Sequence, residues 1–238
     1  MGKAAVSTIE TAELSHNLHG QRLGRKGRVT RERILAATER LLEAPGDASI
    51  SLSAVAREAS LGMTTLYLYF SDLTELLLAA LERVTALAEE SYIERLRTRW
   101  TDETLGEDCV AFVEAYHAFW QRHTRILHLR NSLADANDSR MRDHRIQMAE
   151  PVVLLLVRQM DTEPGAMRTP IAAMASVMLT GLERLVTLAT DANFSSLSSQ
   201  APGHVRNMLR AEGRLLELGI RDCRVKAQAE AHANDSGH

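Results

Sequence analysis

From Thr30 onward the apolar positions recur with a helical period. Ile34, Leu35, Thr38, Leu41 and Leu42 fall at i, i+1, i+4, i+7 and i+8, one stripe of an amphipathic helix that Thr30 caps and that runs to about Glu43. Pro45-Gly46-Asp47 closes it. Ser51 or Ser53 then caps a short helix carrying Leu52, Val55, Ala56 and Ala59. A tight turn through Ser60, Leu61 and Gly62 leads into a second short helix from Met63 to Tyr69. Phe70-Ser71-Asp72 breaks the pattern, and Asp72 caps a longer helix. Three helices with a short turn between the last two predict a helix-turn-helix. Ala56 is small enough for the short helices to cross closely. Leu61 and Leu66 turn inward, leaving Met63, Thr64, Thr65, Tyr67 and Leu68 outside.

The helical period continues to the end of the chain. One long helix runs from Leu73 to about Trp100, with Leu76, Leu77, Ala80, Leu81, Val84, Leu87 and Ala88 as its stripe, and a second runs from Leu105 to His123. A short segment, Arg125 to Leu133, and a polar loop, Ala134 to Asn137, precede a helix from Ser139 to Met160 with a kink predicted at Pro151. After a break at Glu163-Pro164-Gly165 come an apolar helix from Ala166 to about Ala192, a linker from Asn193 to Gly203, and a last helix from His204 to about Lys226. No alternating β-branched run makes a strand. The predicted fold is all-α: an N-terminal three-helix helix-turn-helix domain followed by a larger helical ligand-binding and dimerisation domain. Its divisions are a disordered tail (1–23), a basic arm with the helix-turn-helix (24–71), the helical domain (72–226) and a frayed C-terminal tail (227–238).

Composition agrees with helix: glycine (13) and proline (5) are scarce among 238 residues. The net charge of −3 hides an asymmetry. Between Gly20 and Phe70, eight bases (Arg22, Arg25, Lys26, Arg28, Arg31, Arg33, Arg40, Arg57) stand against five acids (Glu32, Glu39, Glu43, Asp47, Glu58), so the remainder is acidic. A basic patch on an acidic body suits a DNA-binding head on a body that does not bind DNA. Gly24-Arg25-Lys26-Gly27-Arg28 reads either as a solvated tail or as an arm that follows phosphates. The longest apolar run noted, Pro151 to Val157, is short of a membrane span, and the N-terminus has no apolar core of a signal peptide. Cys109 and Cys223 stand far apart, which points to a reduced, cytoplasmic protein with no membrane association.

The segment from Ser51 to Phe70, ending Thr65-Leu66-Tyr67-Leu68-Tyr69-Phe70, resembles the DNA-binding segment of the TetR family of transcription regulators. The resemblance covers roughly residues 28 to 80. It departs in two places: Ser60 stands where a turn glycine is usual, which predicts a shifted or looser turn, and Leu73 stands where a lysine usually follows. The resemblance implies a homodimer that binds double-stranded DNA at a palindromic operator. The expected DNA contacts are Arg25, Lys26, Arg28, Ser51, Ser53, Met63, Thr64, Thr65, Tyr67, Leu68 and Tyr69. It also implies a dimer interface built from the last two long helices, through Ala175, Leu179, Leu182, Val186, Val205, Leu209 and Leu216. The competing reading is that these faces are the core of a single subunit.

Aromatic residues are only 4% of the chain, yet Phe112, Tyr116, Phe119 and Trp120 share one helix. With Met148, Met174 and Met178 as pliable apolar surface and His117, His128, Arg130 and Asn131 as polar contacts, they predict a site for a small, largely apolar effector. For any one of them taken singly, core packing is the better explanation; taken together they point to a pocket. Glu114 and His117 make a single Glu-x-x-His step, but a di-iron bundle needs a second copy on another helix, and the other copy, Glu13 to His16, lies in the tail. No metal, cofactor or catalytic residue is expected, and the chain reads as a regulator rather than an enzyme. The alternatives are a helical ligand-binding protein whose head no longer reads DNA and, further off, a four-helix metalloenzyme.

Overall fold

The computed structural model describes residues 23–44, 50–160, 169–191 and 203–235, with side chains up to residue 229. The breaks expected at Pro45-Gly46-Asp47 and Glu163-Pro164-Gly165, the N-terminal tail to His19 and nearly all of the Asn193–Gly203 linker lie outside them. The described elements are all helical. They are α1 (Arg25–Glu43), α2 (Leu52–Glu58), α3 (Met63–Tyr67), α4 (Leu73–Ala88), α5 (Leu105–Arg122), α6 (Thr124–Asp135), α7 (Ser139–Met160), α8 (Thr169–Ala189) and α9 (His204–Asp235). They divide into two units, residues 1–80 and 81–238.

The first unit forms around α1. Ile34, Leu35, Ala37 and Thr38 are buried there against a set that includes Val55, Ala56, Ala59, Leu66, Phe70, Leu76 and Leu77. The buried Thr38 hydroxyl donates to the carbonyl of Ile34 at 3.0 Å, so it brings no unpaired group into the core. α1 starts at Arg25 rather than at Thr30. Thr30 is not its cap: its hydroxyl donates to the Lys26 carbonyl from within the helix, at 3.1 Å. The predicted flexible arm is therefore the first turn of α1. Arg25, Lys26 and Arg28 are good helix formers, and the Leu23 side chain lies over Gly27.

At the start of α4 the Asp72 carboxylate accepts from the Glu75 amide at 2.8 Å, while Glu75 reaches back to the Ser71 amide and hydroxyl at 2.6 and 2.7 Å. The helix expected to reach Trp100 changes its winding before that. A wide turn at Glu89–Ile93 and a tight one at Glu94–Leu96 follow α4, with Arg97 folded back on Glu89 at 2.5 and 2.8 Å.

In the second unit α9 lies along α5 at close range: a Cβ on Gly213 would sit 2.7 Å from Val110 Cγ2 and 3.0 Å from its Cα. α7 passes through Pro151 without a break. Pro151 is exposed, so the hydrogen bond it cannot make is lost on the outer side. α9 continues past Lys226 to Asp235 through Ala227, Ala229, Ala231 and Ala233, so the tail expected to fray is helical to that point. A polar staple ties three segments of this unit together. The buried Arg224 of α9 donates to the carbonyls of Gln159 (2.8 Å) and Trp100 (2.9 Å) and to the Asp102 carboxylate (2.5 Å). Gln159 in turn accepts from the Trp100 amide and donates to the carbonyls of Leu96 and Thr98.

α8 corrects one sequence expectation. Pro170–Ala189 is, by length and composition, apolar enough to cross a membrane. Glu183 and Arg184 interrupt its apolar run, yet the remaining alanines, leucines and valines keep its mean hydropathy high. Only about a fifth of that stretch is buried, so α8 carries one inward apolar face and a second that is uncovered in the single chain.

Candidate DNA-binding surface and effector cavity

The head is built on a turn that holds α3 against α2. The Ser51 hydroxyl caps α2 by accepting from the Ala54 amide at 3.2 Å, and it shares a hydrogen bond with the Ser53 hydroxyl at 3.0 Å. α2 ends with two back-turned bonds, Ser60 N–H to the Arg57 carbonyl at 3.0 Å and Leu61 N–H to the Ala56 carbonyl at 2.8 Å. That pattern requires a left-handed residue between them, and Ser60 supplies it with φ 52°. The turn is therefore not shifted. Gly62, at φ −73°, serves as the N-cap of α3 and needs no glycine freedom. A serine in this conformation is strained. Ser60→Gly should raise stability by about 0.5–1 kcal/mol in urea titration while leaving DNA binding unchanged.

α3 anchors through Leu66, with Phe70 just beyond it buried beneath the Arg31 guanidinium, 5.5 Å from the ring centre. Its other side faces out. Thr64, Tyr67 and Leu68 are exposed, and Met63, Thr65 and Tyr69 are half-buried. Arg25, Lys26 and Arg28 are exposed on the first turn of α1, which has no acidic residue. Cations there add to the positive end of the helix dipole instead of offsetting it, an arrangement that suits an anion such as phosphate.

In the second unit, the wide turn after α4 brings Tyr92 into the aromatic residues of α5. Its ring meets Tyr116 at 4.8 Å, Phe119 at 5.1 Å and Phe112 at 6.3 Å, all edge to face. Beside them lies a small, partly open cavity of about 20 Å³, walled by residues including Tyr92, Tyr116, Phe119, Trp120, Met148, Arg130, His144, Arg145 and Glu183. Arg130 is buried at 5% exposure. It donates to Glu183 at 2.7 Å and to Asn131 Oδ1 at 3.0 and 2.9 Å, and its guanidinium lies 5.5 Å from the Trp120 ring centre. Burial raises the pKa values of Tyr92 and Tyr116, so both stay neutral phenols. Burial, with the positive field of Arg130, lowers His144 to about 4. Outside the cavity is an open groove of about 350 Å³ between α6, α7 and α8; it shares Arg145, Ala149 and Glu183 with the cavity wall.

Of the residues expected to bind an effector, Tyr116, Phe119, Trp120 and Met148 line the cavity and Asn131 lines the groove. The others do not. Phe112 packs behind them against Trp100, and His117 is half-buried elsewhere on α5. His128 bonds to the Thr190 hydroxyl at 2.9 Å. Met174 is exposed, and Met178 covers Gly219 of α9. Tyr92, His144, Arg145 and Glu183 were not anticipated. Tyr92 alone carried a signal, because it extends the Leu81–Ala88 stripe by one more i+4 step.

The expected dimer residues need correction. Ala175, Leu179, Leu182, Val186, Leu209 and Leu216 are buried within the single chain and Val205 is half-buried, so they point into their own unit. The uncovered side of α8 and α9 is instead Met174, Val177, Leu215, Leu218 and Val225, with Val177 68% and Leu215 59% exposed.

A short helix capped by serine, a left-handed turn and a second short helix with an uncharged exposed face define a helix-turn-helix, DNA-binding class of transcription regulator. Residues 34–80 match the family model of bacterial regulatory proteins, tetR family. Over these residues the chain carries a DNA-binding domain similar to that of the TetR family of transcription regulators. Among solved structures it is similar to a TetR family transcription regulator from Marinobacter aquaeolei VT8, at 22% identity and a TM-score of 0.28 over 71% of this chain and 96% of the other. No curated protein matches.

Proposed function

We propose that the protein is a cytoplasmic, non-catalytic repressor that binds a palindromic operator as a homodimer and is released by a small effector. Met63, Thr64 and Leu68 meet base edges. Thr65, Tyr67 and Tyr69 contact phosphates, and Ser51, Ser53, Arg25, Lys26 and Arg28 hold the backbone. Two copies double these contacts across a two-fold axis. Residues 1–23, 24–71, 72–226 and 227–238 would divide the chain into tail, DNA head, effector and dimerisation domain, and C-terminal end.

The observation that carries the effector part is the buried Arg130 in an aromatic wall, paired with the half-buried Glu183. Desolvating the Arg130 charge is costly and one half-buried partner returns only part of that cost; we read the arginine as serving recognition. An effector that favours one separation of the heads then weakens DNA binding by the same factor as DNA weakens its own.

Selection of bound duplexes from a random pool tests the reading, with Tyr67→Ala in parallel. Tyr67 is 48% exposed, so its loss should leave the fold intact. Wild type should enrich a palindrome, and the variant should lose about tenfold or more on it, the value of one or two good contacts. A pool that stays random with wild-type protein would reject the repressor and favour a ligand-binding protein whose head does not read DNA.

A further inference from the structure

We propose that the effector is a small organic anion, an aryl or short acyl carboxylate, with its charge at Arg130 and its apolar end among Tyr92, Tyr116, Phe119 and Trp120. This rests on the ligand-responsive reading above and narrows its chemistry: the acid group is as much a part of recognition as the apolar body.

Three observations converge. First, the cavity presents donors without acceptors. Arg130 uses Nε and Nη2 on Asn131 and Glu183, and its Nη1 makes no hydrogen bond among the described residues. His144 Nδ1 is buried with no partner. Both residues line the same small space. A carboxylate accepts from Arg130 Nη1 and, in the tautomer that protonates Nδ1, from His144 at the same time.

Second, the local charge is positive. Arg130 and Arg145 stand on the cavity wall against Glu183 alone. In the adjoining groove Arg184 makes no ion pair among the described residues, while Asp135, which pairs with Arg145 at 3.2 Å, is 72% exposed and screened. A cationic ligand would meet two arginines and a donor-rich wall.

Third, there is a way in. A cavity of about 20 Å³ holds one water and no ring, so a ligand must open it from the groove. The shared wall is soft. Among the described residues Arg145 is held only by its surface pair, Met148 is an unbranched, pliable side chain, and Pro151 has removed one hydrogen bond from α7 beside them. Moving Arg145 and Met148 joins groove and cavity, with Arg130 on the cavity wall and its partner Glu183 on both.

Matched probes test this on the full chain: benzoate, benzamide and benzylamine, and hexanoate, hexanamide and hexylamine, read by tryptophan fluorescence and thermal shift. At least one acid should bind about tenfold or more tightly than its amide, with the amine weakest, as a charge-assisted hydrogen bond requires. Removing Arg130 alone would strand Glu183 and risk unfolding, so the informative variant is Glu183→Gln. It frees Arg130 of its internal counterion and should tighten the acid by about threefold or more, a gain that a merely structural role for Glu183 does not give. His144→Phe should weaken the acid. Acids that bind no better than their amides, amines that bind best, or no binding by any of the six up to millimolar concentration would each overturn the proposal. The regulator reading fails separately, if a bound acid leaves the selected duplex undisturbed.

Discussion

Val177→Glu combined with Leu215→Glu should give a folded monomer that has lost about a hundredfold or more in operator affinity, the avidity of two linked heads. Both side chains are more than half exposed in the single chain, so a carboxylate there stays in water and the fold has no reason to suffer. In a two-fold dimer the same positions repeat on the partner, and four carboxylates would be brought together and desolvated, at a cost of several kcal/mol. Sedimentation or light scattering should show half the wild-type mass with an unchanged helical spectrum. The control is the inward face. Leu209→Glu or Leu216→Glu places a charge in a site less than 7% exposed and should unfold the second unit rather than dissociate it. A double variant that remains dimeric would show that the copies pair through some other surface.

That contrast also shows where sequence reading stops. Periodicity finds an apolar stripe, but it does not say whether the stripe faces its own subunit or another. α8 has two such faces, and the richer one, Ala175, Leu179, Leu182 and Val186, is the inner one. The head was more legible because its signals are local: a serine cap, a small residue at the crossing, and Leu66 and Phe70 as anchors all lie within twenty residues. Even there, Ser60 misled. The left-handed turn is available to serine at a cost, so a missing glycine did not mean a shifted or looser turn. In the cavity, Tyr116, Phe119 and Trp120 were readable as aromatic density on one helix. Glu183 and His144 come from helices far along the chain, and only the packing of α6, α7 and α8 brings them to Arg130 and Tyr92. Met174 and Met178 sit on faces of α8 that turn away from the cavity, which periodicity alone does not distinguish either.

The other large effect concerns the polar staple of the second unit. Arg224→Met keeps most of the side-chain volume and removes the fork that fills the carbonyls of Gln159 and Trp100. Gln159 is 1% exposed, and Trp100 7%, so neither carbonyl gains ready access to water when its donor goes. Each buried acceptor left unpaired costs about 1–3 kcal/mol, and the two together put the expected loss at about 2–4 kcal/mol. The Asp102 carboxylate adds little, since it is 61% exposed and solvent screens it. The loss should also spread. Gln159 holds the Trp100 amide and the carbonyls of Leu96 and Thr98, so loosening Arg224 frees the segment between the tight turn and α5 from both α7 and α9. Chemical denaturation should therefore show a lower midpoint, and amide exchange should speed up first at residues 96–102. Asp102→Asn, which keeps both buried carbonyls filled, should cost less than about 1 kcal/mol. If it costs as much as Arg224→Met, the ion pair rather than the carbonyl fork holds these helices together.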